Sequence, residues 1–218
     1  MRLFGAILAT LLAVAGAFTA YARSEPARRL AALEHDVHIQ PLDLVFQDLE
    51  CGTRCDLIRE ITQSRLTHVG IVLEEHGERM VWEANGPVGP IPLADWVDRT
   101  HGSIAVYRLD PRLLKHADAI AREVRSMRGL PYDGEYQWDD ERIYCSELVH
   151  KAVLRATGIA LSPPRLFSFG EHKAAIGQLT HGHLTESTFI VAPIDLARSD
   201  LVQRVGGDLP ADEVALGP

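Results

Sequence analysis

Residues 67–85 constrain the fold of this 218-residue chain more than any other segment. The segment contains two apolar, β-branched runs, THVGIVLEE at 67–75 and RMVWEAN at 79–85, and His76-Gly77 supplies the turn between them. Two such runs around a tight turn are typical of a β-hairpin, so these strands are antiparallel. An antiparallel hairpin among interspersed helices and strands favours an α+β fold over a doubly wound α/β sheet.

The remaining elements are short, and turn residues separate them. Residues 86–93 are Gly/Pro-rich and predict a loop. Apolar patterns predict strands at 42–47, 103–109 and 188–193 and helices at 26–36, 55–64, 112–128 and 145–157. This length and pattern indicate a single domain over residues 23–205, followed by a flexible Gly/Pro/acidic tail at 206–218.

Residues 1–22 have the layout of a secretory signal peptide. Arg2 carries a positive charge, an uncharged and mostly apolar run follows, and Ala20-Tyr21-Ala22 supplies a small-x-small cleavage site. The alternative is an uncleaved membrane anchor, because the stretch is long enough to span a bilayer. We therefore expect an exported protein of the bacterial periplasm or cell envelope, where disulfides form.

The charge balance excludes one broad class of function. Lys and Arg total 22 against 30 Asp and Glu, which gives a net charge of −8, and no basic cluster is present. Because phosphate contacts dominate nucleic-acid affinity, we expect this acidic chain not to bind nucleic acid.

The three cysteines fall into a close pair and a single residue. Cys51 and Cys55 stand four apart in CGTRC, which is compatible with a small-loop disulfide or with two free thiols. Cys145 opens a helical pattern in IYCSELVHKAVL, so its sulfur lies at a helix N-terminus. There the helix dipole and free N–H groups favour the thiolate and can hold an oxyanion. The alternative is a buried structural cysteine.

A general base for the Cys145 thiol must come from another element. His150 follows Cys145 by five residues on the same helix and therefore lies well around the helix from it. His68 opens an apolar strand, where an imidazole either meets a buried polar partner or faces a cleft.

The hairpin register supplies partners for His68. If Glu75 faces Glu78, Asn85 lies directly opposite His68 and Glu83 is its diagonal neighbour on the same face. The amide and the carboxylate are both candidates to hold the ring. Cysteine, histidine and a third polar group form the constellation that thiol hydrolases use. The alternative is a core histidine bonded to Glu83 without a catalytic duty.

Several motifs in order resemble one known family. The segments SRLTHVGIVL, VWEANGPVG, IPLADW and GLPYDGEYQWDDERIYCSELVHKA, within residues 41–165, resemble the circularly permuted NlpC-type papain-like hydrolases, specifically the YiiX-like branch. His68 precedes Cys145, as permutation requires. The resemblance implies a papain-like α+β fold in which the cysteine helix packs against a small antiparallel sheet. It also implies hydrolysis of an amide or ester with no metal and no organic cofactor.

The resemblance also implies roles for individual residues. Cys145 is the expected nucleophile, His68 the general base and Glu83 the group that orients His68. Further candidates for lining or supporting the cleft are Tyr144, Tyr132, Asn85 and Ser146. The Cys51/Cys55 pair and the extension after about residue 175 match no motif of the family.

The substrate is open between two classes. An exported hydrolase of this kind suggests an amide bond in a cell-wall peptide. The alternative is a lipid-directed thiol acyl hydrolase or acyltransferase, in which the apolar residues 86–96 form either a lipid groove or merely a packed loop. The expected partners are thus a peptide or a lipid-acyl substrate, with association to the cell envelope.

Two non-hydrolytic functions also fit the sequence. The first is a binding module of the same fold that retains the pocket. The second is disulfide exchange among the three cysteines, which the absence of a CxxC motif disfavours.

Overall fold

The computed structural model describes residues 25–35, 37–99, 103–184 and 186–214, and the predicted signal peptide at 1–22 lies outside them. These residues form eight strands: β1 Leu44–Gln47, β2 His68–Glu75, β3 Glu78–Glu83, β4 Gly89–Pro92, β5 Ile104–Leu109, β6 Arg165–Ser168, β7 Ser187–Ile190 and β8 Val202–Gly206.

The same residues form eight α-helices: α1 Glu25–Leu33, α2 Thr53–Thr62, α3 Leu93–Arg99, α4 Pro111–Leu114, α5 Ala117–Ser126, α6 Cys145–Thr157, α7 Lys173–Leu179 and α8 Pro193–Ala197. Single 3-10 turns lie at Gly170–His172 and Ala211–Glu213. None of the described helices combines the length and the apolar character needed to cross a membrane.

Six strands form one antiparallel sheet in the order β4-β3-β2-β1-β5-β8, and β6 pairs with β7 in a separate antiparallel ribbon. The central strands are buried on both faces, which explains why β2 reads as an apolar run rather than an alternating one. Val69, Ile71 and Leu73 join the core beneath α5 and α6. Val72 joins a second core beneath α1 and α3. The sheet is thus covered by helices on both sides.

The hairpin has the register that its turn residues predict. Glu75 pairs with Glu78 and Ile71 with Trp82. Continuing this register puts Glu83 opposite Gly70, where a Cβ would lie 2.4 Å from a Val81 methyl group and 3.6 Å from the Glu83 Cβ. Because Gly70 has no side chain, the end of β3 can pack closely against β2.

The structure corrects the loop predicted at 86–93. Residues Gly89–Pro92 form β4, and α3 begins at Leu93. Because β4 is the edge strand of its sheet, its prolines remove few ladder hydrogen bonds, and a Pro-rich run can still pair there. The apolar residues of 86–96 are packed: Val88 lies in one core, and Leu93 and Trp96 lie in the other.

Three other predictions differ from the structure in detail. The helix predicted at 112–128 is divided into α4 and α5, and the strand predicted at 188–193 is β7, which ends at Ile190. Part of the predicted flexible tail packs on the domain: Leu209 is fully buried, and the Ser64 hydroxyl donates to the Val214 carbonyl oxygen at 2.7 Å. Leu209 and Val214 anchor this segment on the domain. A prediction from its polar composition misses these two buried side chains.

Candidate active site

Cys145 is the first residue of α6 and is 5% exposed. Burial opposes ionisation of its thiol. The positive charge of His68, a hydrogen bond with His68 and the backbone N–H groups of Val69 and Ser146 outweigh burial and lower the pKa of Cys145. The sulfur thus lies where a thiolate is stabilised, as its place at a helix N-terminus predicts.

His68 is the first residue of β2 and is also 5% exposed. Its Nε2 lies 2.7 Å from the Glu83 Oε2. Burial disfavours the imidazolium, but the charges of Cys145 and Glu83 and the hydrogen bonds to both raise the pKa of His68 to about 9. The ring therefore interacts with Cys145 and Glu83 together, and the pair is favoured as thiolate and imidazolium.

Glu83 ends β3 in a dense set of donors. Trp96 Nε1 donates to its Oε2 at 2.8 Å, and the guanidinium of Arg99 spans both oxygens at 2.5 and 2.7 Å. Burial opposes ionisation, but the hydrogen bonds and charges of Arg99 and His68 lower the pKa of Glu83 to about 2. The carboxylate thus stays ionised and bonds to the imidazole ring, which also interacts with Cys145.

Trp96 and Arg99 belong to α3, a helix that is not among those predicted from the sequence. The motif IPLADW contains Trp96, but nothing in its spacing indicates that the indole reaches Glu83. Arg99 lies 16 residues after Glu83 and has no sequence signal at all. Only the packing of α3 on the sheet brings both side chains to the carboxylate.

Tyr144 and Ser146 flank Cys145 and tie one chain segment to the start of α6. The Ser146 hydroxyl donates to the Val191 carbonyl oxygen at 2.7 Å, and the Val191 N–H donates to the Tyr144 hydroxyl at 3.2 Å. Both side chains are buried. They therefore fix the position of residues 191–193, which line the pocket next to Cys145.

The structure separates Asn85 and His150 from the catalytic pair. Asn85 is exposed, and among the described residues it is Glu83 that bonds to His68. Of the two candidates from the hairpin register, the carboxylate therefore holds the ring. His150 packs against the Trp138 ring at 5.4 Å, and burial followed by the charge of Lys151 lowers its pKa.

Cys145 opens onto one pocket with a largely apolar lining. Tyr132, Tyr144, Cys145 and Ser146 form one side of it. The rest comes from α2, from the 134–136 segment and from residues 169–193: Arg54, Leu57, Ile58, Ile61, Thr62, Gly134, Tyr136, Phe169, Ile176, Leu179, Thr180, Leu184, Thr188, Ile190, Val191, Ala192 and Pro193. The pocket is therefore built mostly from parts of the chain outside the sequence motifs on which the family resemblance rests.

Tyr132 and Tyr136 lie close together at this pocket. Burial, the charges of Tyr136 and Cys145 and a hydrogen bond with Tyr136 raise the pKa of Tyr132 well above its usual value. Burial likewise raises the pKa of Tyr136. Both therefore remain neutral phenols whose hydroxyl groups can donate hydrogen bonds. Tyr132 is one of the site residues predicted from the sequence, whereas Tyr136 is not.

Cys51 and Cys55 are joined by a disulfide with their Cα atoms 5.2 Å apart, and Cys145 is the free cysteine. The bridge lies at the start of α2, the helix that supplies one wall of the pocket. It encloses residues 52–54 within a small ring.

Comparison with known proteins gives three related results. A family model described as permuted papain-like amidase enzyme, YaeF/YiiX, C92 family, matches residues 38–206. The uncharacterized protein YiiX of Escherichia coli strain K12 is 30% identical over 119 residues, which cover 54% of this chain and 58% of that protein. The chain thus spans less than two thirds of that relative's length.

A crystal structure described as metalloprotein YiiX from Escherichia coli O157:H7 has the same fold. It aligns with a TM-score of 0.70 at 24% identity and covers 78% of this chain and 98% of that chain. These results confirm the papain-like α+β prediction, whereas the broader NlpC assignment stays a prediction. Since the family model matches most of the sequence, the chain belongs to the permuted papain-like amidases of the YaeF/YiiX family.

Proposed function

We propose that this chain is an exported thiol amidase that cleaves an amide bond whose acyl group is apolar. Cys145 is the nucleophile, His68 the general acid and base, and Glu83 the positioning residue for His68. The observation that supports this proposal most directly is that Cys145, paired with His68, lies in the wall of a largely apolar pocket.

The first half of the reaction acylates the enzyme. The Cys145 thiolate attacks the amide carbonyl carbon, and the oxyanion that forms accepts hydrogen bonds from N–H groups at the start of α6. The imidazolium of His68 gives its proton to the leaving nitrogen as the C–N bond breaks. An amine departs, and a thioester remains on Cys145.

The second half returns the enzyme to its starting state. Neutral His68 takes a proton from water while the oxygen of that water attacks the thioester carbonyl. The C–S bond breaks, the acid product leaves, and Cys145 and His68 are again thiolate and imidazolium. Glu83 stays ionised throughout and keeps the ring facing the sulfur.

The apolar pocket bears on the choice of substrate. Leu57, Ile58, Ile61, Leu179 and Leu184 offer a surface for an alkyl chain or a large apolar side chain. A polar cell-wall peptide, one of the two substrate classes that the sequence leaves open, gains little from such a surface. The second candidate function is therefore acyl-ester hydrolysis or acyl transfer, in which the same thioester forms and a different acceptor receives the acyl group.

One relative is described as a metalloprotein. This raises the question of whether the described side chains of this chain could ligate a metal ion. The described residues do not bring three or more His, Cys, Asp or Glu side chains together as metal ligands. These side chains therefore do not fit a metal site. The proposed export rests on the signal-like layout of residues 1–22 and is consistent with a disulfide between Cys51 and Cys55.

Alkylation of Cys145 against pH tests the catalytic pair. Because Cys51 and Cys55 are joined, iodoacetamide reports on Cys145, and Cys145→Ala serves as the blank. We expect rapid alkylation well below about pH 8.5 in the wild type and a shift towards about pH 8.5 in His68→Ala. A thiol that is inert below about pH 8.5 in both proteins contradicts the pair and favours the binding module.

A matched set of acyl compounds tests the substrate class. We expect N-octanoyl-p-nitroanilide to be cleaved at least about tenfold faster than the N-acetyl compound, because each buried CH₂ contributes about 0.8 kcal/mol. Cleavage of p-nitrophenyl octanoate without cleavage of the anilide favours the ester function. A preference for a cell-wall stem peptide over the octanoyl anilide contradicts the apolar acyl group.

A further inference from the structure

Arg54 lies in the first turn of α2 and lines the same pocket as Cys145. Its guanidinium carbon stands 5.7 Å from the centre of the Tyr132 ring. A Cβ placed on Gly134 would lie 3.8 and 3.9 Å from its two terminal nitrogens. The cation is therefore held between an aromatic ring and a stretch of bare backbone, both of which belong to the segment beside the nucleophile.

Arg54 is the one basic residue among the described residues that line this pocket. Its neighbour on the same helix behaves differently: Arg59 pairs with Asp48 at 2.8 Å and with Asp56 at 2.9 Å. Within the described part of the chain, Arg54 has no such carboxylate partner. Its terminal N–H donors are free for a ligand, although the chain carries a net charge of −8.

The disulfide adds a reason for the placement of Arg54. Arg54 is enclosed between Cys51 and Cys55, so the bridge restricts the backbone that carries the guanidinium. A site that selects a ligand by charge and geometry benefits from such restriction, because less conformational entropy is lost on binding. The cysteine pair and the segment after about residue 175, both of which lie within the residues that the family model matches, thus meet at one pocket with a single cation.

We infer that Arg54 binds an anionic group of the substrate, so that the preferred substrate is an amphiphile with an apolar acyl group and a carboxylate or phosphate. This inference rests on the proposed amidase function and specifies its substrate class. The guanidinium presents paired N–H donors that match the oxygens of both anions. Arg54 is then a specificity residue that distinguishes anionic from neutral substrates, while Cys145 and His68 perform the chemistry on both.

A matched pair of amides tests the role of Arg54. N-octanoylglycine and N-octanoylglycinamide share the acyl chain and the scissile bond and differ in the terminal charge. We expect kcat/KM of the wild type to be about tenfold higher for the anionic compound, with the preference lost in Arg54→Gln and partly kept in Arg54→Lys. The control is Arg122→Gln, which removes an exposed arginine of α5 outside the pocket.

The outcomes separate this inference from the proposed function. Equal kcat/KM for both compounds in the wild type, or an unchanged preference in Arg54→Gln, overturns the role of Arg54 and leaves the amidase intact. If neither compound is cleaved, the binding of both compounds to Cys145→Ala, measured by calorimetry, tests the anion site. Tighter binding of N-octanoylglycine that Arg54→Gln removes supports the anion site although the amidase function fails, and equal or absent binding overturns it. Melting temperatures of all variants exclude unfolding.

A second pair identifies which anion is preferred. Binding of 1-octanoylglycerol-3-phosphate and 1-octanoylglycerol to Cys145→Ala is compared with binding of the two glycine compounds. A larger ratio for the phosphate pair assigns Arg54 to a phosphate, and a larger ratio for the glycine pair assigns it to a carboxylate. Ratios near one for both pairs overturn the site.

Discussion

Two buried glutamates near α6 have pKa values that are shifted in opposite directions. Glu83 accepts hydrogen bonds from His68, Trp96 and Arg99, and its pKa falls to about 2. Glu147, in the first turn of α6, is fully buried, and burial raises its pKa to about 7. Both residues sit inside the same domain, and both are almost inaccessible to water.

The difference lies in the partners of each carboxylate. Glu83 faces two cations, whereas Glu147 has one ammonium group, Lys151 at 2.7 Å, and a weak bond from the Tyr144 N–H at 3.3 Å. The negative charge of Asp133 also opposes ionisation of Glu147. Burial alone therefore does not determine whether an acid is charged. Glu83 is a permanent anion suited to holding an imidazolium, and Glu147 titrates near neutrality as part of the helix cap.

Replacing each glutamate by glutamine should give the largest contrast. Glu83→Gln leaves Arg99 and the imidazolium of His68 without a counter-charge, so we expect kcat/KM to fall about a hundredfold and the free energy of unfolding to fall by about 3 kcal/mol. Glu147→Gln keeps a cap acceptor and should leave kcat/KM close to the wild-type value. Steady-state kinetics and urea unfolding at pH 7 measure both effects. Full activity in Glu83→Gln would remove its positioning role.

Local patterns explain why the residues of the proposed catalytic site could be predicted, and the family resemblance supplies their expected roles. His68 opens an apolar strand, Cys145 opens a helix, and the hairpin register carries Glu83 to the correct face, so local patterns alone place all three. The choice between Glu83 and Asn85 could not be made from the register. It depends on where β3 ends and on the donors of α3, which are features of tertiary packing.

The pocket could not be predicted, and the reason is physical. Its apolar residues come from α2, from α7 and from residues 184–193, which are short elements with weak periodicity. The sequence pointed instead to residues 86–96 as a possible groove, but these pack into the cores on the two faces of the sheet. Apolar composition indicates burial, and only the arrangement of elements decides whether a buried surface borders a cavity.

The pH dependence of stability should have opposite signs at the two glutamates. The pKa of Glu147 is raised in the folded state. Its contribution to the free energy of unfolding is therefore present below about pH 4.5 and lost as the pH rises through about 7. The pKa of Glu83 is lowered, so its contribution is present above about pH 4.5 and lost as the pH falls through about 2. Each shift corresponds to about 3 kcal/mol.

Urea unfolding of the wild type and the two glutamine variants over this pH range measures both contributions. The stability advantage of the wild type over Glu147→Gln should shrink between pH 4.5 and 7, while its advantage over Glu83→Gln should grow as the pH rises from 2 to 4.5. Parallel curves for the two variants would show that the carboxylates are not distinguished by their partners.

Replacing Arg99 rather than Glu83 should give the smallest and most specific effect, a change in the pH profile of kcat/KM. In Arg99→Gln the charge of Glu83 acts on His68 without compensation, so the imidazolium is stabilised further. We expect the basic limb of the pH profile of kcat/KM to move above about 9 by less than about one unit, whereas Glu83→Gln should move it down.

The matched control for this last change is Arg108→Gln. Arg108 pairs with buried Asp43 at 2.8 Å and is 29% exposed, against 26% for Arg99, but it contacts none of the catalytic residues. Its removal should lower stability and leave the basic limb in place. If Arg99→Gln also leaves the limb unchanged, Arg99 acts only by fastening α3 to the sheet. If it moves the limb down, as Glu83→Gln does, the arginine holds the carboxylate in position, and its charge does not set the proton affinity of the catalytic histidine.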